Sequence, residues 1–387
     1  MKFLHLGDLH LGKTLGDFDL IDDQKYILDQ IISIIDDEAA DAVLIAGDVY
    51  DRSIPSEAAT RLLDSFLSKL ASKNIKTYMI SGNHDSDDRL NYGSSLFESN
   101  NIFISAIYNG HMDKHILKNG ENEINVYMLP FVKSSHVKHF YPDEKIDNYE
   151  DAVRVVLEHS DIDENKCNIL VAHQFVAGKG VDPSLGGSES MATRSESVGT
   201  VEKIGYDLFD KFDYVALGHI HRPQSVGREA VRYSGSILKY SLSEAGNDKS
   251  VPVITVNDKN EVDIKLVPLK PNRDLRHIKG DMDKLLNKAN VSDPDDYIYA
   301  TLTDENYIND AMGIFQQVYP NTVRIDYENS HTHDVEQIDI STIAEDKPFP
   351  ELISDFYKMI YGCEITDEEM DVMMKAAREA GVIDEAN

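Results

Sequence analysis

Five short apolar runs constrain this chain more than anything else in it. They are Phe3-Leu-His-Leu-Gly-Asp8-Leu-His10, Ala42-Val-Leu-Ile-Ala-Gly-Asp48, Tyr78-Met-Ile-Ser-Gly-Asn83-His84-Asp85, Asn168-Ile-Leu-Val-Ala-His173 and Tyr214-Val-Ala-Leu-Gly-His219-Ile-His221. Each lacks the polar alternation of a half-exposed strand, and each closes on an acid, an amide or a histidine. Such runs suit strands buried on both faces of a sheet. In open α/β sheets, ligands gather at the carboxyl ends of such strands. The pattern predicts an α/β chain that brings Asp8, His10, Asp48, Asn83, His173, His219 and His221 to one edge.

Oxygen and imidazole donors without thiolates favour a borderline-hard ion such as manganese or iron. Seven donors exceed the needs of one ion but suit two ions that share a bridging carboxylate. Asp8 and His10 stand two apart, as do His219 and His221. Either pair alone would more often be structural; five converging blocks make the functional reading the stronger one. His5 lies among apolar residues and is expected to be a hydrogen-bonded core histidine. Cys167 and Cys363 fit no metal or redox spacing and are expected to be free thiols in a reducing compartment.

The segment Gly7-Asp-Leu-His-Leu-Gly-Lys-Thr14 also satisfies the phosphate-loop pattern G-x-x-x-x-G-K-[ST] after a strand. Asp8 would set a like charge beside the phosphate, and Gly16, Asp17 and Asp19 make a poor continuing helix. The metal reading uses both Asp8 and His10, so the nucleotide reading is set aside.

The order Asp-x-His, Gly-Asp, Gly-Asn-His-Asp, a lone His and Gly-His-x-His resembles the calcineurin-type binuclear metallophosphoesterases. Asp213-Tyr-Val-Ala-Leu-Gly-His-Ile-His-Arg-Pro-Gln224, Arg232-Tyr-Ser-Gly-Ser-Ile-Leu-Lys-Tyr-Ser241 and Pro268-Leu-Lys-Pro-Asn-Arg-Asp-Leu-Arg276 are similar to the SbcD family, the nuclease subunits of bacterial SbcCD complexes. The likeness extends over nearly the whole chain. It implies a metallophosphoesterase β-sandwich flanked by helices, a small α+β capping domain and a C-terminal helix pair. It also implies a metal-dependent double-strand exonuclease and single-strand or hairpin endonuclease acting in DNA end processing, repair and recombination. Two divalent ions, most simply Mn2+, would be held by Asp8, His10, Asp48 and His221 and by Asp48, Asn83, His173 and His219. His84 would donate a proton to the leaving oxygen. The implied partners are DNA, the SbcC ATPase through the C-terminal helices, and a second copy within a heterotetramer. The helix Ser56–Lys73 and one near Leu90–Glu98 would form the homodimer contact. The rival reading is a phosphoesterase acting on small phosphate esters or cyclic nucleotides.

Gly47-Asp-Val-Tyr-Asp51-Arg52 resembles the Gly-Asp-x-x-Asp-Arg motif of Ser/Thr phosphatases, although Ser53 replaces the glycine that follows there. That likeness implies that Asp51 pairs with His84, orienting the ring and holding its proton, and that Arg52 contacts phosphate.

The chain has 387 residues, 41% of them hydrophobic, which is enough for more than one domain. Its formal net charge of −31 argues against strong autonomous DNA binding. Bound divalent ions and a partner surface could offset it. No apolar run is long enough to span a bilayer. The opening Met1-Lys2-Phe3-Leu4 runs straight into a strand, so a cytoplasmic protein without a signal peptide is expected.

Periodicity predicts helices at Asp22–Ala39, with Tyr26, Ile27, Ile31, Ile34 and Ile35 on one face, and at Ser56–Lys73. The Gly- and Ser-rich stretch 177–200 reads either as a loop over the active edge or as a disordered insert. A nuclease domain over 1–270, a capping domain over 271–330, a linker over 331–350 and a partner-binding helix pair over 351–387 complete the expected organisation. Thr366 and Glu369 resemble a capping box. His331 and His333 sit in the linker with no further ligand candidates near them.

Overall fold

The computed structural model describes residues 1–120, 122–178, 182–185, 203–259, 261–329, 348–361 and 365–379. The 177–200 loop is largely outside these residues, as are His331, His333 and Cys363. Two compact units divide the chain, Met1–Arg276 and His277–Asn387.

The first unit alternates strand and helix. β1 (Lys2–Leu6) leads to the two-residue strands β2 (Thr14–Leu15) and β3 (Phe18–Asp19), then α1 (Ile21–Glu38). β4 (Ala42–Ala46), α2 (Glu57–Ser72) and β5 (Lys76–Ile80) follow. Single turns α3 (Asp87–Leu90) and α4 (Ser94–Phe97) precede β6 (Ile102–Ser105). β7 (Asp113–Asn119) and β8 (Asn122–Leu129) form a hairpin ahead of α5 (Ser134–Phe140) and α6 (Tyr149–Glu158). β9 (Cys167–His173), the short β10 (Val176–Ala177) and β11 (Ile204–Gly205), and β12 (Tyr214–Gly218) come next. β13 (Gln224–Val226), β14 (Arg228–Tyr233), β15 (Ser250–Asp258) and β16 (Glu261–Pro268) complete the unit.

These strands build two six-stranded sheets, β16-β15-β1-β4-β5-β6 and β13-β14-β12-β9-β8-β7. β1, β4, β5 and β6 run parallel in the first; β8, β9, β12 and β14 run parallel in the second. The alternation of side chains along a strand sends Phe3, Leu44 and Tyr78 inward from one sheet. They meet Val126, Ile169, Val171 and Ala216 of the other in a shared core. The outer face of the second sheet buries Leu170, Val215 and Leu217 with Val153 and Val156 of α6. Both faces are therefore covered, which explains the continuous apolar runs. This is the expected α/β sandwich flanked by helices.

Some local expectations need correction. Tyr26 is 45% exposed, and the buried stripe of α1 runs through Gln24, Ile27, Leu28, Ile31, Ile34 and Ile35. The helix expected near Leu90–Glu98 is broken into α3 and α4 by Gly93, whose φ is +76°. Thr14–Leu15 is a strand and helix α1 begins only at Ile21, so no helix follows the Gly-Lys-Thr sequence as phosphate binding requires.

The second unit carries β17 (Leu275–Gly280) in a three-stranded sheet with β18 (Tyr297–Leu302) and β19 (Thr322–Tyr327). α7 (Met282–Leu285) and α8 (Ala311–Gln316) contribute to a core of Met282, Ile298, Ala300, Leu302 and Phe315. Helices α9 (Phe349–Tyr361) and α10 (Asp367–Glu379) come last. Thr366 and Glu369 form the capping box: Glu369 N–H donates to Thr366 Oγ1 at 3.3 Å, and Thr366 N–H donates to Glu369 Oε2 at 2.9 Å. Among the described residues no helix is long and apolar enough to cross a membrane.

Candidate metal centre

The ladder between β1 and β4 continues beyond the strands. Asp8 N–H donates to Gly47 O at 3.1 Å, His10 N–H to Asp48 O at 2.9 Å, and Leu11 N–H to Val49 O at 2.9 Å. The backbone is strained as it does so. Asp8, His10, Asp48 and His219 all have positive φ (52°, 43°, 47° and 98°). Each non-glycine residue held there costs on the order of 1 kcal/mol or more, and such strain clusters at functional sites. Gly82 is needed for space. Its φ is not positive, but a Cβ there would lie 2.1 Å from Asp48 Oδ1. Gly47 needs both: its φ is +80° and a Cβ would lie 2.5 Å from His173 Nδ1.

All seven residues read as ligands meet where β1, β4, β5, β9 and β12 end, across both sheets. Asp8, His10 and His221 form one group of converging donor atoms, and Asp8, Asp48 and His173 another. His10 Nε2 lies 3.0 Å from His221 Nε2 and 3.5 Å from Asp48 Oδ2. On the other side His173 Nε2 lies 3.3 Å from Asp48 Oδ2 and 3.0 Å from Asn83 Oδ1. His219 Nδ1 also lies 3.0 Å from Asn83 Oδ1. Asp48 Oδ2 thus stands between His10 and His173, and Asp8 belongs to both groups.

The donor set fits cations. His173 Nδ1 donates to Ala46 O at 2.7 Å, which leaves Nε2 facing two acceptor oxygens. His221 Nδ1 donates to Glu244 Oε1 at 3.3 Å, which turns its Nε2 lone pair towards His10. Asp8 Oδ1 accepts from His219 N–H at 2.8 Å, whereas its Oδ2 is buried without a hydrogen-bond partner. Lone pairs facing lone pairs need positive charge between them. Protons alone meet that need in part. Burial pushes the His173 imidazole down, but the charge and hydrogen bond of Asp48 outweigh it and raise its pKa to about 9. Burial pulls His219 to about 3 and His10 to about 4, leaving both neutral as ligands must be.

The remaining residues take other places. His84 N–H donates to Asp48 Oδ1 at 2.9 Å, and its ring stands edge-on to His10 with centroids 4.9 Å apart. Its Nδ1 lies 3.1 Å from the main-chain carbonyl of Asp51, not from the carboxylate expected to hold it. The Asp51 carboxylate meets Lys13 Nζ at 2.8 Å and His10 Nδ1 at 3.6 Å. His10, Asp51 and His84 nonetheless form a third group of donor atoms, all within 4.8 Å of one another. Arg52 is 74% exposed in its side chain, with Nε 3.6 Å from Asp51 Oδ2. Asp85 is a clamp instead of a ligand: its oxygens accept from the amides of Gly82, Val49 and Tyr50 at 2.9, 3.1 and 2.9 Å. It ties the β5 loop to the β4 loop. His5 is fully buried with Nδ1 3.0 Å from Tyr214 Oη, as a core histidine should be.

Sequence reasoning missed three supports. Glu244 is fully buried against His221. Burial pushes its carboxyl up, but His221 and the Lys249 ammonium outweigh that and hold it well below the usual carboxylate range. Gln24 of α1 donates to His10 O at 2.8 Å, and Tyr240 donates to Leu9 O at 2.5 Å, so the loop after β1 is braced from two directions. No local pattern marks these residues; they are adjacent to the site only in the folded chain.

Two sheets that pool acids and histidines at their strand ends, with one carboxylate between two donor groups, define a dinuclear metallohydrolase scaffold. Residues 1–223 match the family model described as calcineurin-like phosphoesterase, and the chain belongs to that family. Residues 271–361 match the SbcD C-terminal model, described as the Type 5 capsule protein repressor C-terminal domain. The two matches in this order are consistent with an SbcD-type nuclease subunit. The fold implies two divalent metals, and the donor groups could hold them. Among solved structures, a dimetal phosphatase from Danio rerio is 10% identical over 70% of this chain and 99% of its own, with a TM-score of 0.36. A glutamine-dependent NAD+ synthetase from Acinetobacter baumannii is 10% identical over 98% of this chain and 73% of its own, with a TM-score of 0.27. The family assignment rests on the two domain matches, not on these structures.

Proposed function

We propose that this chain is a metal-dependent DNA nuclease of the SbcD type, cleaving double-strand ends and single-strand or hairpin DNA as a subunit of an SbcCD-type complex. The observation that carries the reading is the pairing of a dinuclear donor set around Asp48 with a C-terminal segment of the SbcD type. One ion is assigned to Asp8, His10, Asp48 and His221, and the other to Asp48, Asn83, His173 and His219. When bound, the ions supply water activation and neutralise charge on the phosphoryl oxygens; Mn2+ suits the donor chemistry.

His84 is assigned the proton delivery. The Asp51 carbonyl fixes one ring nitrogen, so the proton for the leaving oxygen is assigned to Nε2. Arg52, exposed beside Asp51, is the candidate phosphate contact. Residues 1–270 are assigned to the nuclease domain, 271–330 to a cap and 351–387 to SbcC binding. Exposed apolar side chains support that last assignment: Phe356 is 45% and Met373 42% exposed. Homodimerisation through α2, α3 and α4 is supported by Tyr92 and Leu96, exposed at 85% and 77%.

The test is metal-dependent cleavage of linear and hairpin DNA, with and without SbcC, beside hydrolysis of p-nitrophenyl phosphate esters. Turnover of the esters with no DNA cleavage under either condition would favour a small-ester phosphoesterase instead.

A further inference from the structure

Glu244 sits on a single helical turn, Leu242–Glu244, and is fully buried with an ammonium as its neighbour. Lys249 Nζ lies 2.5 Å from Glu244 Oε2 and also donates to Ser236 Oγ at 2.7 Å and to the His221 carbonyl at 2.8 Å. The other carboxylate oxygen faces His221 Nδ1 at 3.3 Å and accepts from Ser241 Oγ at 3.2 Å. Ser236 Oγ donates to Glu244 Oε2 at 3.1 Å, and Ser236 N–H donates to the His221 carbonyl at 3.1 Å.

A buried ion pair is costly and seldom outperforms apolar packing of the same shape. This one grips His221 twice, by its ring through Glu244 and by its backbone through Lys249. The ring contact selects the tautomer that presents the Nε2 lone pair to the donor group of Asp8 and His10. A carboxylate in that position also raises the basicity of a ligand imidazole.

We propose that Glu244, locked by Lys249, is the positioning residue for His221 and tunes one of the two cation sites. The proposal rests on the reading of His221 as a ligand. The test uses the full chain titrated with Mn2+ by calorimetry, comparing wild type, Glu244→Gln, His221→Ala and the double variant. Glu244→Gln is expected to weaken one ion by ~10–100-fold and leave the other unchanged. In the His221→Ala background the same change is expected to add nothing. In the metal-free protein, 15N spectra should show His221 as a single Nδ1–H tautomer, lost in Glu244→Gln.

Unchanged affinity in folded Glu244→Gln, or an equal loss in both backgrounds, overturns the proposal and leaves Glu244 a structural partner of Lys249. If Glu244→Gln leaves Lys249 unpaired and does not fold, Glu244→Gln/Lys249→Met removes both charges and is read by the same criteria. Full affinity at both sites in His221→Ala would instead overturn the ligand assignment beneath it.

Discussion

The Asp48 carboxylate lies 3.3 Å from His173 Nε2, although Asp48 follows β4 of one sheet and His173 ends β9 of the other. The site is therefore a product of sheet-on-sheet packing. Asp48 Oδ2 also lies 3.5 Å from His10 Nε2, so under the proposed bridging role its substitution should affect both cation sites.

Asp48→Asn replaces the shared anion by a neutral amide. The purified variant is expected to hold fewer than two metal ions per chain by elemental analysis and to have no detectable cleavage activity. A fully metallated, active variant would falsify the bridging role.

His84→Ala removes a side chain that is not among the proposed ligands. It should retain both ions and lose ~10²–10⁴-fold in DNA cleavage, the usual worth of general acid catalysis. Hydrolysis of a p-nitrophenyl ester should fall much less, because that leaving group departs without a proton. Equal losses on both substrates would remove His84 from the proton-transfer step.

Asp51→Asn should behave differently. The substitution keeps the main-chain carbonyl that meets His84 and changes only the group facing Lys13 and His10. The expected outcome is a Mn2+ affinity lowered by ~10-fold at the site that uses His10, with both substrates affected alike. Normal binding of both ions with a selective loss of DNA cleavage would return the carboxylate to His84.

Gly82→Ala should damage the site without removing a ligand. The new methyl would sit 2.1 Å from Asp48 Oδ1, so the β4 or β5 loop must move. Overpacking of this kind costs ~1–3 kcal/mol, measurable by denaturant unfolding, and metal content should fall with it. Wild-type stability and full metallation would show that the loops are looser than their contacts imply.

Phe356→Ser and Met373→Ser change exposed apolar positions on the terminal helices. Neither should alter metal content or ester hydrolysis. Together they should reduce co-purification of SbcC at least ~10-fold if these helices are the docking face. Undiminished co-purification would place the partner elsewhere.

Much of this was legible in the residue order. The runs before Asp8, Asp48, Asn83, His173 and His219 are apolar because both faces of each strand are covered, so pattern alone announced the strands and the ends where acids and histidines converge. The capping box at Thr366 and the core role of His5 were equally local. The hydrogen-bonded partner of His84 was not. Its Nδ1 meets the Asp51 carbonyl, while the Asp51 carboxylate pairs with Lys13, a contact that no local pattern announces. Nor was Glu244 legible, because 23 residues separate it from His221 and no period links them. Strand ends follow from hydrophobic burial, which is short-ranged in sequence and repeated in every strand. The tuning of a ligand depends on single polar contacts between loops, and only the packing of the two sheets brings those loops together.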